Sequence, residues 1–121
     1  MTKRVLVVED HEDNRQIIRD LLESAGYDMI EAKDGEEALT AAASHRPDLI
    51  LMDVQLPILD GYEATRRLKA DLALKTIPVI VVTSYALSGD EAKAYAAGCD
   101  AYVAKPYDPL ALLDIIRHHL G

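Results

Sequence analysis

Five residues with reactive side chains stand immediately behind short apolar runs. Glu9 and Asp10 follow Val5-Leu6-Val7-Val8, Asp53 follows Leu49-Ile50-Leu51-Met52, Thr83 follows Val79-Ile80-Val81-Val82, and Lys105 follows Ala101-Tyr102-Val103-Ala104. If the runs lie side by side, three carboxylates, one hydroxyl and one ammonium meet at one edge. Carboxylates ~4 Å apart repel by about 4 kcal/mol per pair at an effective dielectric near ~20. Lys105 offsets part of that repulsion, and a divalent cation is the natural remainder. An all-oxygen set suits Mg2+, which keeps several waters and takes one or two carboxylates plus substrate phosphate. A single acid behind a strand reads equally well as a loop cap, whereas five groups of complementary chemistry read as a site.

The elements that would position these groups follow from hydrophobic pattern. The runs Val5–Val8, Leu49–Met52 and Val79–Val82 are continuously apolar, as in strands covered on both faces of a parallel sheet. Two weaker candidates, around Tyr27–Ala32 and Ala101–Ala104, carry polar residues or alanine and suit sheet edges. Helical patterns alternate with them. In the first, Ile18, Leu21, Leu22 and Ala25 mark one face, with Asp13 or His11 near the start and Gly26 as a C-terminal cap. The second spans Gly35–His45 and is stopped by Pro47. The third follows Gly61 through Leu68, and the fourth covers about Ser88–Ala97, ending at Gly98. The fifth opens with Asp108 as N-cap and Pro109 at the first helical position. The result is an α/β chain, a doubly wound (βα)5 parallel five-stranded sheet with helices on both faces. Order 2-1-3-4-5 buries the three most apolar strands and leaves the two weak ones outside. A dinucleotide-type order would put the apolar third strand at an edge, so the flavodoxin-like order is expected, with its crevice at the carboxyl ends of the strands.

Composition narrows the partners. A chain of 121 residues, 50% apolar and 28% charged, fits one globular domain spanning residues 1–121. Thirteen Lys and Arg against 21 Asp and Glu give a formal charge of −8, which opposes binding to nucleic acid or an anionic membrane. The single cysteine, Cys99, excludes an internal disulfide framework and fits a reducing cytoplasm. Acids follow the first apolar run at once, so it reads neither as a signal peptide nor as a membrane span.

The same residues carry a family resemblance. Val5-Leu6-Val7-Val8-Glu9-Asp10, Pro47-Asp48-Leu49-Ile50-Leu51-Met52-Asp53, Leu56-Pro57 with Asp60-Gly61, Val82-Thr83-Ser84, Gly98-Cys99-Asp100-Ala101-Tyr102 and Lys105-Pro106 resemble, in order and spacing, the receiver domains of two-component response regulators. Within that family, Met1-Thr2-Lys3, Gln55, Gly89-Asp90-Glu91 and Gly98-Cys99 are most similar to stand-alone, cell-cycle-type receivers. The resemblance implies that Asp53 is the phosphoacceptor. It implies that Asp10, Asp53 and the backbone carbonyl of Gln55 ligate Mg2+, with Glu9 acting through water. A carboxylate at a strand tip, ionised near neutral pH, can attack phosphorus in line without a general base. Lys105 would pair with a phosphoryl oxygen as a compact point charge, and Pro106 would follow a cis peptide. Thr83 would turn its hydroxyl to the phosphoryl group, and the space it vacates would be filled by Tyr102. That tyrosine is expected between strand 4 and helix 5, where its rotamer would reshape the surface of helix 4, strand 5 and helix 5. Gln55 and Tyr85 flank the site and would tune the lifetime of the phosphoryl group.

The resemblance further implies a phosphohistidine donor on a sensor histidine kinase or histidine-phosphotransfer protein. The donor would dock on helix 1 near Asn14, Arg15 and Ile18, although Ile18 reads equally well as core. Output would pass to a downstream protein by contact, since no output domain follows helix 5. Whether helices 4 and 5 support a phosphorylation-driven homodimer is left open. Such a protein is a signalling device that assists its own phosphoryl transfer and dephosphorylation rather than an enzyme acting on other substrates. The rival is a haloacid-dehalogenase-type phosphatase, which also forms an aspartyl phosphate. It needs an acid two residues after the nucleophile, and Gln55 cannot titrate. A flavodoxin-like carrier lacks its Gly-rich phosphate loop here. A calcium loop starting at Asp10 would need Gly where Arg15 stands. Four histidines, His11, His45, His118 and His119, lack metal-ligand spacing with cysteine, and the last two suit the dipole at a helix C-terminus. Cys99 reads as a small packed residue.

Overall fold

A computed structural model describes residues 2–83 and 90–120. Its elements alternate as β1 (Arg4–Val8), α1 (Glu12–Ser24), β2 (Asp28–Ala32), α2 (Gly35–His45), β3 (Leu49–Asp53), α3 (Gly61–Ala70), β4 (Val79–Thr83), α4 (Asp90–Ala96), β5 (Ala101–Ala104) and α5 (Pro109–Leu120). All pairings are parallel, and the sheet order is β2-β1-β3-β4-β5. The apolar ranking of the strands therefore gives the correct order. Every residue of β3 and β4 is buried, while in the edge strand β2 only Ala32 is buried and the rest are exposed or partly covered. Ser88 and Gly89, expected in the fourth helix, lie outside the described residues, as does Tyr85.

Strand alternation divides the interior into two cores. Leu6, Val8, Ile50, Met52, Val79 and Val81 point to one face, where Ala38 and Ala42 of α2, Ala64 and Leu68 of α3 and Ala94 of α4 cover them. Val5, Val7, Leu49, Leu51, Ile80, Val82 and Val103 point to the other, under Ile18 and Leu22 of α1 and Leu112 and Ile116 of α5. Truncating one of the fully buried Leu or Ile side chains to Ala would cost about 2–5 kcal/mol.

Local signals end the helices where the sequence suggests, with two refinements. Asp34 and Asp60 accept from the backbone N–H groups of Glu37 and Glu63 at 2.8 and 2.9 Å, capping α2 and α3, and Asp108 accepts from Leu110 at 3.0 Å at the start of α5. His11 is the N-cap of α1, but its side chain makes no capping bond. Gly26 adopts φ +83° one residue beyond the α1 C-cap, Ala25.

Gly61 serves the site directly. A Cβ there would lie 2.0 Å from the carbonyl oxygen of Asp53, so only glycine lets α3 start against the tip of β3. Gly26 has no atom within 4 Å of where a Cβ would sit. Urea denaturation should therefore separate the two positions. Gly26→Ala is expected to lose only the roughly 1–2 kcal/mol of left-handed strain. Gly61→Ala should lose more and should also displace Asp53, seen as amide chemical-shift changes along β3. Equal losses would contradict the close approach.

Candidate functional site

Register brings the strand tips into one row. Val8 pairs with Met52, so Glu9 and Asp53 emerge side by side. Asp53 pairs with Val82, and Thr83 pairs with Ala104, which places Thr83 and Lys105 one step further along their strands. The Lys105 N–H donates to the Thr83 carbonyl at 2.7 Å, and the Lys105–Pro106 peptide is cis. Glu9, Asp53 and Thr83 are 2%, 8% and 0% exposed, whereas the Asp10 side chain keeps 30% exposure. A row with two buried acids and one open to solvent is thus physically assembled.

One ammonium serves two of these acids. Lys105 Nζ lies 3.6 Å from Asp53 Oδ2 and 3.7 Å from Glu9 Oε2. Burial, together with a hydrogen bond shared with Glu9, pushes the Asp53 carboxyl up to about 7, against the pull of Lys105 and the Gln55 N–H. Burial alone would raise Glu9 too, but the bonds from Asp53 and Asn14 and the charge of Lys105 hold it below its ordinary value. The two carboxyls are coupled, and their opposed shifts make Asp53 the one that holds a proton more readily when no metal is bound.

Three supporting residues are not evident from motif reading. Asn14 Nδ2 donates to Glu9 Oε1 at 2.6 Å. Arg15, 5% exposed, donates from Nη1 to the Glu9 carbonyl at 2.8 Å and from Nε to Glu31 at 3.1 Å, and it pairs with Glu12 through Nη2. It ties the β1–α1 turn to the edge strand, so it is not an accessible docking residue. Ile18, 6% exposed, belongs to the core. His11 Nδ1 lies 2.9 Å from Asp10 Oδ1 and 3.6 Å from Glu9 Oε1. Its spacing to cysteine gives no sign of this, because its partners are the two preceding acids.

Around the row, Gln55 is exposed and its N–H reaches Asp53 Oδ1 at 3.3 Å. Tyr102 packs on the α4 face of the sheet, against the core that holds Ala94 and Cys99. The expected position between strand 4 and helix 5 is wrong by one step of strand alternation, since Val103 takes the α5 side. Burial pushes the Cys99 thiol up to about 11, consistent with a packed, unreactive residue. Beside Lys105 a groove of about 520 Å³ opens between α1 and the turn into α5, lined by Asn14, Ile17, Ile18, Pro106, Tyr107 and Pro109.

Hard oxygen donors from Glu9 and Asp10, with Asp53 beside Glu9, carry more acid than Lys105 can neutralise and suit a small divalent cation that retains water. They offer no thiolate or second imidazole of the kind a structural zinc site uses. No described helix is long and apolar enough to cross a membrane.

Comparison with known proteins agrees with this geometry. Residues 5–117 match the family described as the response regulator receiver domain. The polar-differentiation response regulator DivK of Brucella ovis is 48% identical over 121 residues, covering 100% of this chain and 98% of that protein. The receiver domain of the sensor histidine kinase PA1611 from Pseudomonas aeruginosa, solved with a magnesium ion coordinated in its active-site cleft, is 38% identical with a TM-score of 0.92, covering 100% of this chain and 99% of that one. The chemotaxis response regulator CheY4 of Vibrio cholerae is 29% identical with a TM-score of 0.91, covering 98% and 99% of the two chains. The phosphatase alternative finds no support among these.

The raised Asp53 carboxyl has a stability consequence. Asp53's folded-state value lies above its ordinary 3.8, so the folded protein holds a proton that the unfolded chain releases. Stability then falls as pH rises from about 4 through about 7. Glu9, shifted the other way from 4.5, acts only at lower pH. In metal-free buffer the wild type should melt lower at about pH 8 than at about pH 5.5. Asp53→Asn should flatten that dependence and melt ~4–8 °C higher at the alkaline end. Identical pH profiles for the two proteins in calorimetry would refute the raised carboxyl.

Proposed function

The chain belongs to the response regulator receiver family, and from that footing we propose that Asp53 is its phosphoacceptor. Receiver domains work between sensor kinases and downstream targets and bind Mg2+ at an acidic pocket. The observation that carries the assignment to Asp53 is its position at the tip of β3, beside Glu9 and 3.6 Å from the Lys105 ammonium.

Asp10, Asp53 and the Gln55 carbonyl would hold Mg2+, with Glu9 acting through water. The bound cation would supply positive charge that favours ionised Asp53 and neutralises the phosphoryl oxygens. The chain's own residues do the rest. Asp53 ionises by giving up its proton to solvent, while Glu9 stays beside it. An Asp53 oxygen then attacks phosphorus as the P–N bond of a donor phosphohistidine breaks and its imidazole departs. Lys105 pairs with one equatorial oxygen and the Thr83 hydroxyl donates to another, so most of the catalysis is positioning and charge neutralisation. Reorientation of Thr83 is coupled to Tyr102 on the α4 face, and the altered face signals by protein contact, in keeping with the net charge of −8. Gln55 and Tyr85 set how readily water reaches the phosphoryl group.

The donor's docking surface is the groove beside Lys105. Its accessible apolar residue on α1 is Ile17, 54% exposed, in place of the buried Ile18. Partner helices laid there would bring a phosphohistidine to the Asp53 end of the crevice.

Two measurements test these assignments. Acetyl phosphate with Mg2+ should raise the intact mass by one phosphoryl group, and the gain should vanish with chelator or in Asp53→Asn. A metal-independent gain, or one that persists in the variant, contradicts the assignment. Ile17→Asp should slow transfer from a phosphorylated histidine-phosphotransfer protein by ~10-fold or more, a cost in the range of interface hot spots. The same variant should label normally with acetyl phosphate, and equal labelling from both donors would remove the groove from the account.

A further inference from the structure

Helix α4 is held differently at its two ends. Along its body only Ala94 is buried, whereas α3 buries Gly61, Ala64, Thr65 and Leu68. The C-terminal end is fixed through the backbone. The Gly98 N–H donates to the Tyr95 carbonyl at 3.0 Å and the Cys99 N–H to the Ala94 carbonyl at 3.2 Å. These are the paired bonds of a left-handed helix stop, with Gly98 at φ +102°. A Cβ on Gly98 would lie 2.9 Å from Lys69 Cγ. The Lys69 ammonium is itself tied to the Lys75 and Ile77 carbonyls and to Asp100, at 3.1, 2.9 and 2.8 Å.

At the N-terminal end the contact comes from a phenol. Tyr62 of α3 reaches across to α4, and its hydroxyl donates to the Asp90 carbonyl at 3.3 Å. The Tyr62 ring packs, with Tyr102, against the core that holds Ala94 and Cys99. Burial, then the charges of Asp90 and Tyr102, push the Tyr62 phenol above its ordinary value, so it remains a protonated donor. A bond made in only one of two helix positions biases the equilibrium between them by its own free energy. We propose that Tyr62 is a positioning residue for signalling. Its hydroxyl latches the first turn of α4 to α3, and α4 changes position by releasing this bond and pivoting about Gly98. This rests on the reading that phosphorylation of Asp53 alters the α4 face, and it adds the contact that sets the resting position of that face.

A Tyr62 that only fills the core would act through its ring, which phenylalanine supplies equally. Amide hydrogen exchange and chemical shifts, read by NMR on the full chain, separate the two roles. In unphosphorylated Tyr62→Phe, the amides of Ala94, Tyr95 and Ala96 should exchange ~3–10-fold faster, as expected for loss of one neutral hydrogen bond, with β3 and β4 unchanged. Their shifts should also move toward the positions that the wild type takes with acetyl phosphate and Mg2+. Unchanged exchange in α4, or equal acceleration throughout the sheet, overturns the latch. Faster exchange with shifts that move away from the phosphorylated positions overturns its link to signalling. Absence of labelling in the wild type would instead overturn the phosphoacceptor assignment, and the exchange rates would still decide whether Tyr62 holds α4.

Discussion

Two buried carboxylates with a single ammonium between them set the terms for this fold. Glu9 and Asp53 emerge together because β1 and β3 are parallel and in register, which fixes their backbones side by side. Taking like charges out of water is costly. The protein meets the cost with a proton held more readily by Asp53, with Lys105, with the Asn14 amide and with the Gln55 N–H. Each of these can be exchanged for a different positive partner. A core of apolar side chains could not be, so a crowded acidic edge makes a natural receptor for a cation and then for a phosphoryl group.

The remaining architecture keeps that edge in place. Gly61 allows α3 to begin against the Asp53 carbonyl. Arg15 reaches from α1 to the Glu9 carbonyl and on to Glu31 of β2, joining the site to the sheet's outer strand through charge-assisted bonds. These contacts restrain the backbone of the acids, while the side chains retain the freedom that proton and metal exchange require.

Much of this can be read from residue order. Continuous apolar runs mark the buried strands, alanine and polar residues mark the edges, and that contrast alone is enough to rank the sheet order. Glu9, Asp10, Asp53, Thr83 and Lys105 are legible because the crevice lies at strand ends. Asn14, Arg15 and His11 are not, since their roles depend on how α1 leaves β1, a turn geometry that hydrophobic period does not encode. Arg15 looks like a surface residue until its ion partners on two elements are known, and the phase of one helix buries Ile18, one of the residues expected at the docking face, while leaving its neighbour Ile17 exposed. Tyr102 shows the same sensitivity in a strand, where a single step of alternation decides which face a side chain occupies.

The sheet separates two interiors that share no side chains. The groove beside Lys105 belongs to the α1 and α5 half, whereas Tyr102 belongs to the half covered by α2, α3 and α4. If the proposed docking groove and signalling face are right, divergence at one could accumulate without repacking the layer behind the other. A lineage could rewire its upstream connections while conserving its downstream ones, with only the strand tips common to both.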